Sequence, residues 1–397
     1  MHQPLADLRV LDLTHYYAGP YATMLLSFLG AEVIKLEAPG VGDGARALFR
    51  KRDKAYGYPF AVLNSNKRSI TLNLKSAEGK ALFLRMVETA DLVVENFAAG
   101  AMEAMGLGYE TLRARNPRVI YATNTGFGLS GPYSQLAAFD PIVQAMGGVM
   151  AITGEADGPP LKTGAAIADI LGGAHFCAGL LAAIRQRDRT GEGLMVELCL
   201  YDSIVPSLTS FLGAYGMGLR SSRDGNSASG GAITPYNSYP ASDGHVMILA
   251  VDNARWRRLC ELMGRPELAD DPRFATPGAR SKNRHEVDRL VGAWTVTRTR
   301  RDLFDGMGRA GVFCGIVQEL HEVMADPHLH ERGLLQTVDH PELGPLTVFT
   351  SPIRLDGARP EVKSLSPGLG ADNDSFYTAE LGLSAEEIAA LRERKVI

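Results

Sequence analysis

The chain has 397 residues, more than one hydrophobic core ordinarily supports, so the sequence predicts two domains or one large domain with an insertion. Its content of 45% hydrophobic and 22% charged residues is typical of a soluble globular protein. Lysine and arginine number 41 against 45 aspartates and glutamates, and the formal net charge of -4 gives no sign of a nucleic-acid-binding surface.

Strand-like and helical patterns alternate over the first third of the chain. Strands are predicted at 9–13, 32–37, 69–74, 92–96 and 119–127, with helices at 20–30 and after Ser76, a capping residue. This alternation indicates a parallel sheet covered by helices on both faces. The right-handed crossover rule then favours an α/β fold with a Rossmann-like doubly wound sheet.

One aspartate stands in an apolar segment of small residues, TGAAIADILGGAHFCAGLLAAI (163–184). The pattern predicts a helix with Asp169 at or near its N-terminus, and a charge there disfavours a membrane span by about 2.5–3.5 kcal/mol. Gly164 and Gly172–Gly173 would let backbone or substrate approach closely. Two interpretations of Asp169 stay open: a helix cap, or a carboxylate kept ionised by the helix terminus that attacks an acyl carbon.

The pattern changes after about residue 220. The polar, glycine-rich segment 221–239 predicts a loop or a domain boundary, and a strand at 245–251 precedes helical patterns up to about residue 307. We expect a large domain, 1–220 plus 326–397, and a smaller α+β domain, 225–325. The tail holds a strand candidate at 346–352 and a helix that opens with a capping box at Ser384.

Three further patterns bear on function. GFGLSG (126–131) follows a predicted strand and leaves a dinucleotide site, and hence an NAD-dependent oxidoreductase, as an alternative, although no helix pattern opens at its last glycine. His321, His328 and His330 lack metal-ligand spacing, so a solvated loop without a metal is expected.

The four cysteines form no CxxC pair, which favours free thiols in a reducing cytosol. No secretory signal is visible in the sequence.

Seven segments in the same chain order resemble class III CoA-transferases, the formyl-CoA transferase and CaiB/BaiF group: 15–43, 66–80, 91–110, 126–140, 163–173, 239–249 and 325–333. The resemblance implies a CoA-transferase whose nucleophile is Asp169. It would form an aspartyl–acyl anhydride and then an aspartyl-CoA thioester. Coenzyme A and acyl-CoA are substrates in this chemistry, and no tightly bound cofactor is implied.

The resemblance also implies the residues that contact CoA. They are His15, Tyr17, Ala18, Leu72, Asn73, Leu74, Lys75, Asn96, Phe97, Ala98, Ala137, Ala138, Phe139 and Asp140. Gly230 and Gly231 would belong to a flexible loop over the site. Lys75 as a solvated surface lysine and His15 as a structural group stay open.

Departures from the family pattern bear on the substrate. Ala38 and Ala104 stand where formyl-CoA transferases carry arginines, and Tyr17 replaces a glutamine. The pattern is closer to members that handle dicarboxylates, with succinyl-CoA as a donor. A related racemase is the alternative within the superfamily, but Phe139 stands at the position of its histidine and cannot transfer a proton.

The remaining expectations concern partners and location. A CoA-binding module without catalysis is a further alternative to the transferase. The resemblance implies an interlocked homodimer acting on acyl-CoA and small carboxylic acids. We expect a cytoplasmic protein with no nucleic-acid or membrane partner.

Overall fold

Two units make up the computed structural model, which describes residues 3–50, 54, 56–219, 223–227, 232–341 and 343–397. The first unit comprises Met1–Gly147, Gly164–Pro206 and Met324–Ile397, and the second comprises Gly148–Thr163 and Ser207–Val323. The domain bounds expected from the sequence stay a proposal. Residues 148–163 and 207–219 group with the second unit, whereas the sequence pattern assigned them to the large domain.

The strands, numbered along the chain, are β1 (Arg9–Asp12), β2 (Glu32–Glu37), β3 (Lys67–Thr71), β4 (Leu92–Glu95), β5 (Ile120–Thr125), β6 (Met195–Cys199), β7 (Tyr236–Ala241), β8 (Gly244–Leu249), β9 (Phe313–Ile316), β10 (Leu335–His340) and β11 (Gly344–Phe349).

The α-helices are α1 (Ala18–Phe28), α2 (Tyr58–Leu63), α3 (Ala77–Val87), α4 (Ala101–Ala104), α5 (Tyr109–Arg115), α6 (Asp140–Met146), α7 (Val149–Ile152), α8 (Ile167–Thr190), α9 (Leu200–Ile204), α10 (Thr209–Gly216), α11 (Asn253–Leu262), α12 (Pro277–Lys282), α13 (Arg284–Thr295), α14 (Arg300–Ala310), α15 (Leu320–Met324), α16 (Pro327–Glu331), α17 (Asn373–Leu381) and α18 (Ala385–Glu393).

A six-stranded parallel sheet forms the centre of the first unit, in the order β3-β2-β1-β4-β5-β6. Residues of α3, α17 and α18 contribute to the hydrophobic core on one face, and residues of α1 and α8 to the core on the other. The predicted parallel α/β architecture is confirmed. The sequence did not indicate β6 or β10. Only the end residues of these strands are buried, so neither strand shows a continuous apolar run.

The second unit contains a separate antiparallel sheet in the order β7-β8-β9. Trp256 of α11, Val291 of α13 and Met307 of α14 belong to its core. The expectation of a loop over 221–239 is wrong at its end, because Tyr236 already pairs with Leu249 and begins β7. This is an α+β unit, as the sequence predicted for the smaller domain.

Helix α8 is the one helix among the described residues that is long and apolar enough to cross a membrane, by length and composition only. Its side chains Phe176 and Leu180 are fully buried in the core that α8 shares with α1. Core helices of soluble proteins pass the same test, so the finding is weak support for a membrane span. The absence of a membrane partner stays a prediction.

Two buried ion pairs lie beneath the loop that follows β1. Lys67 Nζ is 2.9 Å from Asp12 Oδ2, and Lys35 Nζ is 2.9 Å from Asp43 Oδ2. Burial opposes ionisation of Asp12, but the two lysines hold its pKa below the ordinary value. Burial lowers the pKa of Lys67 to about 8 against the attraction of Asp12, so both partners are charged at neutral pH. Lys35 also donates to the carbonyl oxygen of Thr14, which anchors the backbone next to His15.

The edge strand β3 is covered by side chains from residues 372–377. The carboxylate of Asp372 accepts the backbone N–H of Ser69 at 2.7 Å, and Asn373 Oδ1 accepts that of Thr71 at 2.8 Å. The Tyr377 hydroxyl donates to the carbonyl oxygen of Thr71 at 2.7 Å. Backbone groups that an open sheet edge would leave free are therefore paired.

We expect Lys67→Met to lower the free energy of unfolding by about 3–5 kcal/mol, because it leaves the carboxylate of Asp12 buried without its cation. Urea denaturation measures the change. The control is Arg394→Met, which breaks an ion pair with Glu78 whose side chains are about half exposed and should cost at most about 1 kcal/mol. Equal effects of the two substitutions would contradict a structural role for the buried pair.

Candidate active site

A cavity of about 540 Å³ opens at the carboxyl-terminal edge of the parallel sheet. Its walls come from the loops after β1, β4 and β5, from residues 134–139 and from the first turn of α8. Strands β1 and β4 are neighbours at the point where the strand order reverses, which is where open α/β sheets bind their ligands. The lining residues are His15, Tyr16, Tyr17, Ala18, Asn96, Phe97, Ala98, Ala99, Asn124, Thr125, Gly126, Phe127, Ser134, Gln135, Leu136, Ala137, Ala138, Phe139, Asp169 and Leu200.

Most of the residues predicted for the site meet in this cavity. They are Asp169 with His15, Tyr17, Ala18, Asn96, Phe97, Ala98, Ala137, Ala138 and Phe139. Leu72, Asn73, Leu74 and Lys75 do not line it; they follow β3 at the same edge of the sheet, and Lys75 is exposed. Gly230 and Gly231 lie outside the described residues.

The loops after β1 and β4 are tied together by a reciprocal pair of hydrogen bonds. The backbone N–H of His15 donates to Asn96 Oδ1 at 2.7 Å, and Asn96 Nδ2 donates to the carbonyl oxygen of His15 at 2.8 Å. The backbone N–H of Phe97 donates to the buried carboxylate of Glu95 at 2.6 Å. Two walls of the cavity are therefore fixed to each other and to the end of β4.

Asp169 is the third residue of α8, and the helix cap is Ala166, whose side chain makes no capping bond. The acid that caps this helix is Asp140, the first residue of α6. Its Oδ1 accepts the backbone N–H of Ala168 at 2.7 Å and that of Asp169 at 3.3 Å. The interpretation of Asp169 as the helix cap is therefore wrong, since another segment supplies the capping carboxylate.

Asp140 does not line the cavity, in contrast to the contact with CoA that the resemblance implied. Besides capping α8, it accepts a hydrogen bond at Oδ2 from Gln144 Nε2, 2.6 Å away. Its side chain is buried between α6 and α8. The structure therefore gives Asp140 a positioning contact with the helix that carries Asp169.

The carboxylate of Asp169 accepts no hydrogen bond from the part of the chain that the structure describes. Burial, and secondarily the negative charge of Asp140, raise the pKa of Asp169 to about 7. The sequence interpretation had the helix terminus keeping this group ionised, but Asp140 occupies the N–H groups that would have done so. Protonation of Asp169 is therefore favoured more strongly than that of an exposed aspartate.

Tyr17 lies in the same cavity as Asp169 and is electrostatically coupled to it. Partial burial and the charge of Asp169 raise the pKa of Tyr17 above its ordinary value. The phenol is therefore protonated at neutral pH and available as a hydrogen-bond donor. It occupies the position at which the resemblance implied a glutamine.

Two glycines bring α8 close to its neighbours. A Cβ at Gly173 would lie 2.5 Å from the carbonyl oxygen of Ala18, and one at Gly172 would lie 2.3 Å from Leu200 Cδ2. Larger residues would push α8 away from α1 and α9. The glycines thus serve the packing of α8 against the wall of the cavity, while a Cβ at Gly164 would meet open space.

The sequence reasoning missed several lining residues, above all Tyr16 and the polar residues Asn124 and Thr125. Asn124 and Thr125 end β5 with polar side chains after an apolar run, and the ends of parallel strands are where ligands bind. That signal was available in the sequence. Tyr16 adopts a left-handed backbone conformation, with φ of 66°, and no sequence pattern marked it.

The structure bears on two of the alternatives from the sequence, the NAD-dependent oxidoreductase and the racemase. No helix opens at the end of GFGLSG, because α6 begins only at Asp140, so a pyrophosphate would find no helix N-terminus there. Phe139 does line the cavity, with its ring edge-on to Tyr16 at 5.7 Å between centroids. Its hydrocarbon ring cannot serve as the acid or base that a racemase needs.

No group of three or more histidine, cysteine, aspartate or glutamate side chains that could hold a metal ion occurs in the described ranges. His330 Nε2 lies 2.9 Å from the carbonyl oxygen of Met324, and His321 and His328 are exposed. All four cysteines are free thiols, and Cys314 is the least buried of them.

Comparison with known proteins gives a consistent result. CoA-transferase family III matches residues 5–373. The chain is 39% identical to succinyl-CoA–D-citramalate CoA-transferase of Chloroflexus aurantiacus, over 100% of this chain and 98% of that one. It is 38% identical to formyl-CoA:oxalate CoA-transferase of Streptomyces avermitilis, over 100% of both. A crystal structure of a CaiB/BaiF family protein from Brucella suis aligns with a TM-score of 0.86 at 34% identity, covering 96% of this chain and 100% of that one.

We expect Asp140→Asn to lower the pKa of Asp169, because the amide keeps an oxygen for the cap but removes the neighbouring negative charge. Carboxyl-¹³C NMR of aspartate-labelled protein measures it, with the Asp169 signal assigned by its loss in Asp169→Asn. The unchanged protein should show a midpoint near 7. Asp188→Asn, on the exposed end of α8, should leave the midpoint unchanged. A midpoint near 4 in the unchanged protein would contradict the burial argument.

Proposed function

The chain belongs to CoA-transferase family III and is therefore an enzyme that transfers CoA between carboxylic acids; we propose that it does so through covalent intermediates on Asp169. One observation carries the proposal. The Asp169 carboxylate, free of hydrogen bonds from the described residues, lies in a cavity at the reversal point of the parallel sheet. A carboxylate with a pKa near 7 is more basic than an ordinary one, and hence a better nucleophile, yet remains substantially ionised at neutral pH.

In the proposed first step, an Asp169 oxygen attacks the carbonyl carbon of the donor thioester. The C–S bond breaks with its electron pair, which gives a mixed aspartyl–acyl anhydride and CoA thiolate. The thiolate attacks the aspartyl carbonyl, releases the donor as its free carboxylate and forms an aspartyl-CoA thioester. The acceptor carboxylate then attacks this thioester to give a second anhydride, and the returning thiolate resolves it into the new acyl-CoA and free Asp169.

The chemistry calls for no metal or redox cofactor, because each step exchanges one activated carboxyl group for another. An anhydride reacts readily with water, so the site has to limit access of water to Asp169. Among the described residues, the apolar side chains of Phe127, Leu136, Phe139 and Leu200 line the cavity around it. Their apolar surface supports this role.

We propose that CoA lies along the carboxyl-terminal edge of the sheet. His15, Tyr17, Ala18, Asn96, Phe97, Ala98, Ala137, Ala138 and Phe139 would contact its reactive arm. Leu72–Lys75 would contact the adenosine end, with the exposed Lys75 near a phosphate. Asp140 is left out of this set, because it caps α8 instead.

The proposed donor is a dicarboxylyl-CoA such as succinyl-CoA. A relative that is 39% identical over the whole chain carries succinyl-CoA in its name. Ala38 and Ala104 lack the cationic side chains that formyl-CoA transferases carry at these positions, and both are exposed. Another relative is named for formyl-CoA and oxalate, so these two compounds are the substrates to compare with succinyl-CoA.

We further propose a cytoplasmic homodimer of interlocked chains without a nucleic-acid or membrane partner. Four free thiols fit a reducing compartment. Helix α10 of the second unit has no buried residue, and it and the residues after it expose Leu212, Tyr215, Met217 and Leu219. An apolar surface of this kind suits an interface between copies of the chain.

Asp169→Ala should reduce CoA transfer at least about a thousandfold while binding of free CoA is kept, because the nucleophile is lost but the cavity walls remain. Steady-state kinetics and calorimetry measure the two effects. Mass spectrometry of the unchanged protein with succinyl-CoA should show a hydroxylamine-sensitive adduct on the 163–184 peptide. The matched control on the same helix, Asp188→Asn, should retain activity within about twofold, since this side chain is near half exposed.

The outcomes separate the alternatives. Full turnover in Asp169→Ala would refute the covalent mechanism. Deuterium uptake at the α-carbon of a 2-methylacyl-CoA without an acceptor acid would indicate a racemase instead. A panel with succinyl-CoA and formyl-CoA as donors, each with several acids including oxalate, tests the donor assignment, and faster transfer from formyl-CoA would overturn it.

Charges at the exposed face of α10 should separate the proposed dimer. In Leu212→Glu with Tyr215→Glu, burying two carboxylates in an interface carries a desolvation cost, so light scattering should give the mass of one chain. Tyr215→Phe keeps the apolar surface and should keep the mass of two chains. A monomer in the unchanged protein would refute the dimer.

A further inference from the structure

Asn124 is a buried amide in the wall of the cavity, and no described residue forms a hydrogen bond with its side chain. Asn124 is the next-to-last residue of β5. Its side chain is 3% exposed and lines the cavity that contains Asp169. Neither Oδ1 nor Nδ2 makes a hydrogen bond within the described residues. Leaving buried polar groups of this kind unpaired costs about 1–3 kcal/mol each, so the fold gains nothing from an asparagine here.

The side chain points toward the face of the sheet that α8 covers. Successive residues of a strand alternate between the two faces. Ile120 and Ala122 of β5 belong to the core shared with α8, whereas Tyr121 belongs to the opposite core. By this alternation Asn124 lies on the α8 side of the sheet, the same side as Asp169.

Other polar side chains of β5 already have hydrogen-bond partners. Thr125 Oγ1 accepts the backbone N–H of Gly128 at 2.9 Å, and the hydroxyl of Tyr121 donates to Glu95 at 2.9 Å. Strand β5 is held on both sides, since Asn124 pairs with Leu198 of β6 and the preceding residues pair with β4. The carboxamide of Asn124 is thus both rigidly placed and free for a molecule in the cavity.

We propose that Asn124 Nδ2 donates a hydrogen bond to the carbonyl oxygen of the donor thioester while Asp169 attacks the carbonyl carbon. This inference rests on the proposed function and deepens it. As the new C–O bond forms, the π electrons of the carbonyl move onto its oxygen, which becomes an oxyanion. When the C–S bond breaks and CoA thiolate leaves, the carbonyl is restored in the anhydride. A donor placed in advance on a strand stabilises the oxyanion without having to reorganise.

The test uses Asn124→Leu and Asn124→Asp in the full-length protein, with succinyl-CoA and its transfer product followed in steady state and in single turnover. Both variants keep the branched shape of the side chain and remove the Nδ2 donor. The rate of formation of the Asp169 adduct and kcat should fall about 10²–10³-fold. Binding of free CoA, which has no acyl carbonyl, should change little. The melting temperature of Asn124→Leu should be unchanged or higher, because an unpaired amide is replaced by an apolar group.

Other outcomes would overturn the assignment. If the rate of adduct formation stays within about threefold of that of the unchanged protein, Asn124 does not stabilise the oxyanion. A rise in KM for succinyl-CoA with unchanged kcat would place the amide on a part of the substrate that does not react. If binding of free CoA weakens by the same factor as the rate of adduct formation, the amide of Asn124 contacts the CoA part of the substrate. A lower melting temperature for Asn124→Leu would indicate that Asn124 has a structural role. If the unchanged protein forms no adduct with any acyl-CoA, the proposed function fails, whereas an unaffected adduct in the variants refutes the role of Asn124 alone.

Discussion

The hydrogen bonds between Asp140 and the first turn of α8 determine the surroundings of Asp169. Because Asp140 satisfies the N–H groups of Ala168 and Asp169, the side chain of Asp169 takes no part in capping its own helix. It is left partly buried beside another negative charge, and its raised pKa follows from those two conditions. The raised pKa at this position thus depends in part on a residue of α6 that does not line the cavity.

The buried polar groups beneath the loop after β1 have hydrogen-bond partners, whereas those in the cavity do not have them among the described residues. Beneath the loop, Asp12 and Lys67 form a buried ion pair. The hydroxyl groups of Thr14 and Thr23 also donate hydrogen bonds to Asp12. In the cavity, the amide of Asn124 has no hydrogen-bond partner within the described residues. The carboxylate of Asp169 likewise accepts no hydrogen bond from them, and burial and the charge of Asp140 set its pKa. A satisfied network gives the loop a fixed position. In the proposed mechanism, the unsatisfied groups are the ones that the substrate contacts.

The sequence predicted those features that depend on local chemistry. EVIKLE forms β2 with the expected bounds, and Ser76 and Ser384 cap their helices as their surroundings indicated. The capping of α8 could not be predicted in this way, because its acid lies 28 residues from Ala168. The proposal for Asn124 rests on the lack of a hydrogen-bond partner among the described residues, which only a folded structure can show. The apolar segment around Asp169 singled out this residue, and the family resemblance then favoured a nucleophile over a helix cap.

The contacts of β3 with the end of the chain have a consequence for biosynthesis. Thr71 and Asn373, which pair at the sheet edge, are 302 residues apart. During translation this edge stays uncovered until residues 372–377 have left the ribosome, although β1, β2 and β4 are made early. Pairings this distant in sequence form slowly, and an unpaired strand edge is prone to association with other chains. Production of soluble enzyme should therefore benefit from slow synthesis at low temperature or from chaperones that protect nascent sheets.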